Sequence, residues 1–436
     1  MAKKKLVLGM GKTGISCINF LNKKDIGFKV FDTREKQFID ISNCDSQNFL
    51  NYRFCDFEDD FLEDIDEAII SPGLNLEHKI INRIRALSIP IITDIELWSR
   101  YSDTPIIAVT GTNGKTTTVS MLEHLLNNLK IDSLACGNNG IPILESLNKQ
   151  YEYLIVELSS YQLENIKNIK TLASLITNVE EDHLERHKEY QNYLSIKKRI
   201  FMDCEYALCN INLKNSMGDI QNCKFFGIEK NKNNFIINNR YNTKLLLRDE
   251  NVIYGDLKIP FKGLHNINNL LAVLSVADYL GIKIDKSLQI LSTFIYPDHR
   301  IQFIKKNRDI LWYNDSKSTN VSSTIAALEY TKKNTLLILG GSEKSLDYQK
   351  LNPYIKEKVK MLIFIGENRN LIKNHLKTNI PMIDARSISD AVAIADRNAL
   401  SGDTVLLSPA SPSFDMFVNY EERGIEFIKA VNNIVK

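Results

Sequence analysis

Apolar residues run along this 436-residue chain in two rhythms: short continuous runs of the kind that make buried strands, and longer stretches at helical spacing. Residues 4–8 form a β-rich run that leads into a glycine turn, and residues 15–21 follow at helical spacing. A second strand, 28–31, ends at Asp32. The runs 68–70 and 90–92 stop at Ser71-Pro72-Gly73 and Thr93-Asp94, each a strand followed by loop chemistry. Near Ser102 the pattern restarts with a strand over 106–109, a glycine loop and a helix from about 116 to 129. Strands at 153–156 and 175–177 come next. Between about 210 and 260 the sequence is rich in Asn and Lys and loses its period, so a small antiparallel insertion is expected there. A helix over 266–280 precedes a junction at Tyr296-Pro297-Asp298-His299-Arg300. The run 310–314 then opens a third series, joined by 335–339, 362–365 and 404–407, which reads as another parallel sheet. The expected domains are 1–102, 103–297 and 298–436.

Composition narrows the class. At 44% hydrophobic and 25% charged residues, the chain has apolar side chains enough for several cores. A formal net charge of +2 offers no broad field for nucleic acid or a membrane surface, so an anionic ligand must be held locally. Seven cysteines without a Cys-x-x-Cys pair indicate neither a disulfide framework nor a zinc knuckle, which fits a reducing compartment. The basic start is broken by Gly9, Gly11 and Lys12 and reads as a first strand, not a leader. No run approaches the roughly 18 apolar residues of a membrane helix. A cytoplasmic protein is expected, with no nucleic-acid partner and no membrane insertion.

Two glycine loops carry the chemistry. The first in strength is Gly111-Thr112-Asn113-Gly114-Lys115-Thr116-Thr117, placed between a strand and a helix. Its N–H groups and the helix start can cradle phosphate oxygens, Lys115 can reach the β- and γ-phosphates, and Thr116 can bind Mg²⁺. Val109 stands where the common G-x-x-x-x-G-K-[ST] loop has its first glycine. The second loop, Gly9-Met10-Gly11-Lys12-Thr13-Gly14, fits G-x-G-x-x-G with Asp32 at the end of the next strand. That fingerprint suits a nicotinamide dinucleotide and a uridine diphosphate compound alike, so an NAD(P)-dependent oxidoreductase stays open at this point. The fold class is therefore α/β in three domains: Rossmann-like, central P-loop-type with a parallel sheet, and Rossmann-like again.

Read together, GTNGKTTT at 111–118, ELSSYQLE at 157–164, NVEEDHLERH at 178–187, GLHNINN at 263–269, YNDSKSTN at 313–320 and LGGSEKS at 339–345 resemble the Mur ligase family, in its order. GMGKTG, Asp32-Thr33-Arg34, Ser71-Pro72-Gly73 and the closing SPASPSFDMF are similar to its D-glutamate-adding branch. The resemblance implies an ATP-dependent ligase. ATP would phosphorylate the terminal carboxylate of UDP-N-acetylmuramoyl-L-alanine, and the amine of D-glutamate would displace phosphate through a tetrahedral intermediate, in peptidoglycan precursor synthesis. A monomer is expected. A relative that adds another amino acid, folylpolyglutamate-type ligases included, is the nearest alternative.

Residue by residue, the resemblance assigns Glu157 and His183 to Mg²⁺, of which two ions are expected, and Lys197 to a carbamate that helps hold metal. Lys198 is its neighbour and rival for that place. Asn138 would lie near the phosphates, Asn269 at the base, Arg300 and Lys317 on phosphates and Asp315 at the ribose. Thr13, Thr33, Arg34, Ser71 and Gly73 would hold uridine and diphosphate. D-Glutamate would meet Thr319, Lys344, Ser413, Tyr420 and the backbone of Phe414. Lys12 departs from the smaller residue expected at its position, and closure of the third domain over ATP is implied. Taken singly, many of these have a plainer reading: Glu157 as a surface carboxylate, Lys197 as a solvated helix lysine, Ser413 as a turn residue.

Overall fold

The structure, a computed structural model, describes residues 3–39, 42–44, 51–229, 263–343 and 346–434, with short strand backbones between 234 and 258. They divide into two compact units. One holds 1–179, 191–244 and 269–291; the other holds 180–190, 245–268 and 292–436.

The first unit contains two sheets. β1 (Lys4–Leu8), β2 (Phe28–Asp32), β3 (Tyr52–Phe54), β4 (Ile65–Ile70) and β5 (Ile91–Ile92) pair in the order β3-β2-β1-β4-β5, parallel throughout. The helices Lys12–Lys23 and Lys79–Ala86 are crossovers, and Ile80, Ile81 and Ile84 of the second pack on Leu6, Leu8, Phe31, Ala68 and Ile70. Strand order reverses between β1 and β4, so Gly9 and Ser71, which follow them, stand at the crevice where open α/β sheets take ligands.

The second sheet comprises β6 (Ile106–Thr110), β7 (Ser133–Gly137), β8 (Tyr153–Glu157), β9 (Lys170–Ile176), β10 (Asp203–Asn210), β11 (Lys224–Glu229), β12 (Asn234–Ile237) and β13 (Tyr241–Thr243). Their order is β13-β12-β11-β10-β9-β6-β8-β7. Pairing is parallel from β7 to β11 and antiparallel from β11 to β13. β6 lies centrally and all five of its residues are buried, as a strand covered on both faces requires. β9 begins at Lys170, well before the expected 175. Its early residues Thr171 and Ser174 are buried and share a hydrogen bond at 2.8 Å, so a polar pair hides the strand from a hydrophobicity reading.

In the second unit β14 (Leu246–Arg248), β15 (Asn251–Tyr254) and β16 (Leu257–Lys258) form an antiparallel sheet. β17 (Gln302–Asn307), β18 (Ile310–Asn314), β19 (Thr335–Leu339), β20 (Val359–Phe364), β21 (Met382–Asp384) and β22 (Thr404–Leu407) pair in the order β17-β18-β22-β19-β20-β21. Alternation along β19 feeds two cores. Leu336 and Ile338 pack with the helices Ile388–Asn398 and Tyr420–Ile434; Leu337 and Leu339 pack with Val321–Tyr330 and Asn352–Lys358. The runs expected at 310–314, 335–339, 362–365 and 404–407 pair in parallel, and one strand that was not expected joins them at the edge. β17 precedes β18 and pairs with it antiparallel through a two-residue turn, in which Arg308 and Asp309 both have positive φ. Such turns are usually signalled by Asn-Gly or Asp-Gly; Arg-Asp gave no such signal.

Candidate active site

At the end of β6 the chain turns through Gly111–Gly114 into the helix Lys115–Asn128. Val109 lies inside the strand, paired with Glu157 and Leu175, so the turn needs no glycine until Gly111. A latch from the end of β9 holds the loop. Asn113 N–H donates to Asn178 Oδ1 and the Asn178 amide donates back to Asn113 O, both at 2.9 Å; Thr177 Oγ1 donates to the same carbonyl at 2.6 Å. Gly114 has φ +84°, and a Cβ there would lie 2.4 Å from Asn269 Oδ1. That left-handed residue points the first N–H groups of the helix at the loop mouth, where an anion would sit. Lys115 Nζ is folded onto the carbonyls of Gly111 and Thr112, each at 2.9 Å, while Thr116 is half-buried and Thr117 buried.

Glu157 closes β8 beside this loop and is 1% exposed. Oε1 accepts from Asn138 Nδ2 at 2.8 Å, and Asn138 N–H donates to Glu157 O at 2.9 Å. Oε2 is buried and has no hydrogen-bond partner. A buried carboxylate oxygen left unmatched is costly unless something else fills its lone pairs, and a hard cation is the natural occupant. Among the described residues no group of three or more His, Cys, Asp or Glu is gathered as a ready-made metal cage. Mg²⁺ takes one or two carboxylates and completes its shell with phosphate and water.

Lys197 lies on the helix Tyr190–Lys198 and is 1% exposed. Its Nζ donates to Gly111 O at 2.8 Å and sits 4.6 Å above the Tyr193 ring, while Tyr193 OH and Thr112 Oγ1 share a hydrogen bond at 3.2 Å. Lys198 turns away and pairs with Asp219. Of the two neighbouring lysines, 197 meets the phosphate loop.

At the other glycine loop, Gly14 is packed so tightly that a Cβ would lie 1.8 Å from Gly9 O. Asp32 is buried and accepts from Met10 N–H at 2.6 Å on Oδ2, and from Arg34 N–H and Nε on Oδ1 and Nη2 on Oδ2. Burial alone would raise its pKa, but these bonds and the Arg34 charge outweigh it and hold the carboxyl below its usual value. Both oxygens that a nicotinamide ribose would use are thus committed. Ser71 Oγ donates to Gly9 O at 3.2 Å, Thr33, Arg34 and Gly73 are exposed, and Thr13 is half-buried. Lys12 projects toward the loop after β7, its Nζ 3.9 Å from where a Cβ on Gly140 would stand.

In the second unit the ends of β18, β22 and β19 gather the remaining residues. Asp315 is buried; Oδ2 accepts from Ser318 and Ser408 hydroxyls and Oδ1 from Ile301 N–H, next to Arg300. Burial pushes its pKa up to about 6 against the pull of these partners. Lys317 Nζ stands 3.7 Å over the Tyr420 ring, and Ser316 Oγ donates to Tyr420 O at 2.8 Å. Ser413 is buried, Phe414 is 75% exposed and Thr319 is half-buried. Lys344 lies outside the described residues. His183, at φ +55°, lies in this unit beside Asp182 and Glu185, with ring nitrogens 3.8 and 3.5 Å from their carboxylates. Asp182 in turn accepts from Asn320 Nδ2 at 3.1 Å. Sequence reasoning missed Thr177, Asn178, Tyr193 and Ser316. Asn178 and Ser316 stood inside the quoted motifs; nothing in the sequence marked Thr177 or Tyr193.

Residues 3–93 match the Mur ligase MurD-like N-terminal domain, 109–277 the Mur ligase middle domain and 299–411 the Mur ligase glutamate ligase domain. Over 440 residues the chain is 37% identical to a UDP-N-acetylmuramoylalanine--D-glutamate ligase of Buchnera aphidicola subsp. Acyrthosiphon pisum (strain Tuc7), covering 99% of this chain and 98% of that one. The chain belongs to the Mur ligase family. Another Mur ligase, carrying the same name in Coxiella burnetii (strain Dugway 5J108-111), is 35% identical over 444 residues, 98% of each chain. Among solved structures, a pseudomurein peptide ligase type C from Methanothermus fervidus superposes with a TM-score of 0.62 at 19% identity, covering 99% of this chain and all of that one. A MurF ligase from Thermotoga maritima in complex with ADP gives 0.62 at 15% identity, covering 99% and 96%. These two show the shared Mur ligase fold. Mur ligases use ATP and Mg²⁺, and no helix among the described residues is long and apolar enough to cross a membrane.

Proposed function

We propose that this chain is the ATP-dependent ligase that joins D-glutamate to UDP-N-acetylmuramoyl-L-alanine, as a cytoplasmic monomer in peptidoglycan precursor synthesis. The names of its full-length relatives support the substrates. The structural observation that carries the chemistry is the unmatched Glu157 Oε2, buried beside a phosphate loop that also receives Lys115 and Lys197.

A carboxylate is a poor electrophile, so the substrate's terminal carboxylate first takes the γ-phosphoryl group, releasing ADP. The amine of D-glutamate, having lost the proton of its ammonium form, then attacks the acyl carbon. The tetrahedral adduct gives up one more N–H proton, which leaves with the phosphate as its collapse breaks the C–O bond and forms an amide. The protein's task is positioning and charge stabilisation. In this reading Lys115 leaves the carbonyls of Gly111 and Thr112 for the β- and γ-phosphate oxygens, and the loop N–H groups hold the rest. Thr116, Glu157 and His183 would hold Mg²⁺, of which two ions are expected, and the bound metal would neutralise phosphate charge. Lys197 carries a carbamate, formed when its neutral amine adds CO₂ and releases a proton. One N–H remains to donate to Gly111 O, so the present contact survives the modification.

Asn138, Asn269, Arg300, Asp315 and Lys317 serve the nucleotide; Asp315, largely committed internally, offers the ribose only its remaining Oδ1 lone pair. Thr13, Thr33, Arg34, Ser71 and Gly73 serve the uridine diphosphate, and the committed Asp32 favours this over a nicotinamide. Thr319, Lys344, Ser413, Tyr420 and Phe414 serve D-glutamate. The test is ADP release by the purified protein. It should require both UDP-N-acetylmuramoyl-L-alanine and D-glutamate; preference for L-glutamate, L-lysine or diaminopimelate would reject the substrate assignment.

A further inference from the structure

Arg423, on the helix Tyr420–Ile434, is 1% exposed and has no part in the chemistry above. Its guanidinium reaches in two directions. Nε donates to Ser316 Oγ at 3.0 Å and Nη2 to Ser316 O at 2.8 Å; Nη1 donates to Ser411 O at 3.0 Å and Pro412 O at 3.2 Å. One end thus grips the turn between Asp315 and Lys317, and the other grips the loop that leads into Ser413 and Phe414. The acceptors are three backbone carbonyls and a hydroxyl, so the group is not a salt-bridge partner in the ordinary sense. Burial lowers its pKa to about 10, which leaves it charged at neutral pH. Keeping such a charge inside is unfavourable unless every bond it makes is in place.

The same loop is braced from its far side. Asn368 Nδ2 donates to Ser342 O, Tyr348 OH and Ser411 Oγ, and Ser342 N–H donates to Pro412 O at 3.0 Å. The loop is therefore held on two sides, while the Asp315 turn is tied to it through the arginine fork. A lysine would present its donors at a single point and could not span both backbones.

We infer that Arg423 is a positioning residue that fixes the nucleotide-binding turn Asp315-Ser316-Lys317 and the amino-acid-binding loop Ser411-Pro412-Ser413 in one register. Disturbing it loosens the ATP contacts of this unit and the D-glutamate contacts together. The inference rests on the ligase reading above.

The test compares wild-type protein with Arg423→Lys, Arg423→Ala and Ser316→Ala, the last removing one acceptor of the fork together with the hydroxyl's own bond to Tyr420 O, should the arginine variants fold poorly. Michaelis constants for ATP, D-glutamate and UDP-N-acetylmuramoyl-L-alanine are measured beside the melting temperature. Losing charged hydrogen bonds at both ends should raise the ATP and D-glutamate constants in Arg423→Lys by about tenfold or more. The constant for the UDP substrate should stay put. Millimolar guanidinium should bring Arg423→Ala part of the way back, and Ser316→Ala should shift the same two constants by a smaller factor. A lower melting temperature or kcat with all three constants unchanged would make Arg423 merely structural and overturn the inference. So would a rise in only one of the two constants. Failure of the wild-type protein to turn over D-glutamate would instead sink the ligase reading, so the two failures are distinguishable.

Discussion

Replacing Glu157 by Gln separates a carboxylate kept for a cation from one kept for the fold. Oε1 already has a partner in Asn138, and a glutamine carbonyl can keep that bond. Oε2 has none, so the ligand-free protein carries an unmatched charged oxygen at 1% exposure. Leaving a buried polar group unsatisfied costs about 1–3 kcal/mol, and more when it is charged. Exchanging the charged oxygen for a neutral amide nitrogen should therefore stabilise the ligand-free protein by roughly 1–2 kcal/mol. At about 2–4 °C per kcal/mol this is a rise of roughly 2–8 °C in melting temperature. Adding Mg²⁺ and ATP should reverse the order. A ligand at a hundred times its dissociation constant stabilises the wild type by about 2.7 kcal/mol, and the variant, short of a metal ligand, should gain much less. Thermal melts of both proteins, with and without Mg²⁺ and ATP, read this directly, and ADP release should fall by orders of magnitude in the variant. If Glu157→Gln melts lower than wild type without ligand, or gains as much from Mg²⁺ and ATP, the carboxylate is structural and the argument fails.

Gly114→Ala should weaken ATP binding, because a left-handed residue other than glycine is strained by about 1–2 kcal/mol and its Cβ would displace Asn269; an unchanged Michaelis constant for ATP would contradict this. Lys197→Ala should lose turnover and regain part of it with small carboxylic acids that replace the carbamate, and indifference to the substitution would remove Lys197 from the site. Asp94 gives a pH test away from the chemistry: burial raises its pKa from 3.8 to about 6, and its Oδ1 has no partner. Between those values the folded chain holds more protons than the unfolded one, so stability falls as pH rises through the window, by up to roughly 3 kcal/mol. Asp94→Asn should remove that loss, raising the melting temperature near neutrality more than near pH 4; an equal change at both would refute the assignment.

Several features of this protein were legible in the sequence because they depend on residues close together along the chain. β6, the loop Gly111–Gly114 and the helix Lys115–Asn128 are contiguous, and runs such as Thr335–Leu339 and Thr404–Leu407 are buried on both faces. Local hydrophobicity and glycine placement are enough to specify them. β9 escaped in part because its buried Thr171 and Ser174 satisfy each other, and the β17 hairpin because Arg308-Asp309 takes positive φ without a glycine.

What folding alone decided concerns groups that meet across long separations. That Lys197 and not Lys198 faces Gly111 depends on how one helix is rotated against a loop 86 residues earlier. That Glu157 keeps an oxygen unmatched depends on which neighbours it lacks, and a sequence does not record absent neighbours. Arg423 reads as one more charge on an amphipathic helix until β18 and β22 bring the Ser316 and Ser411 backbones to its two ends. A hydrogen bond needs a donor and an acceptor within about 3 Å, and only the tertiary packing sets that distance.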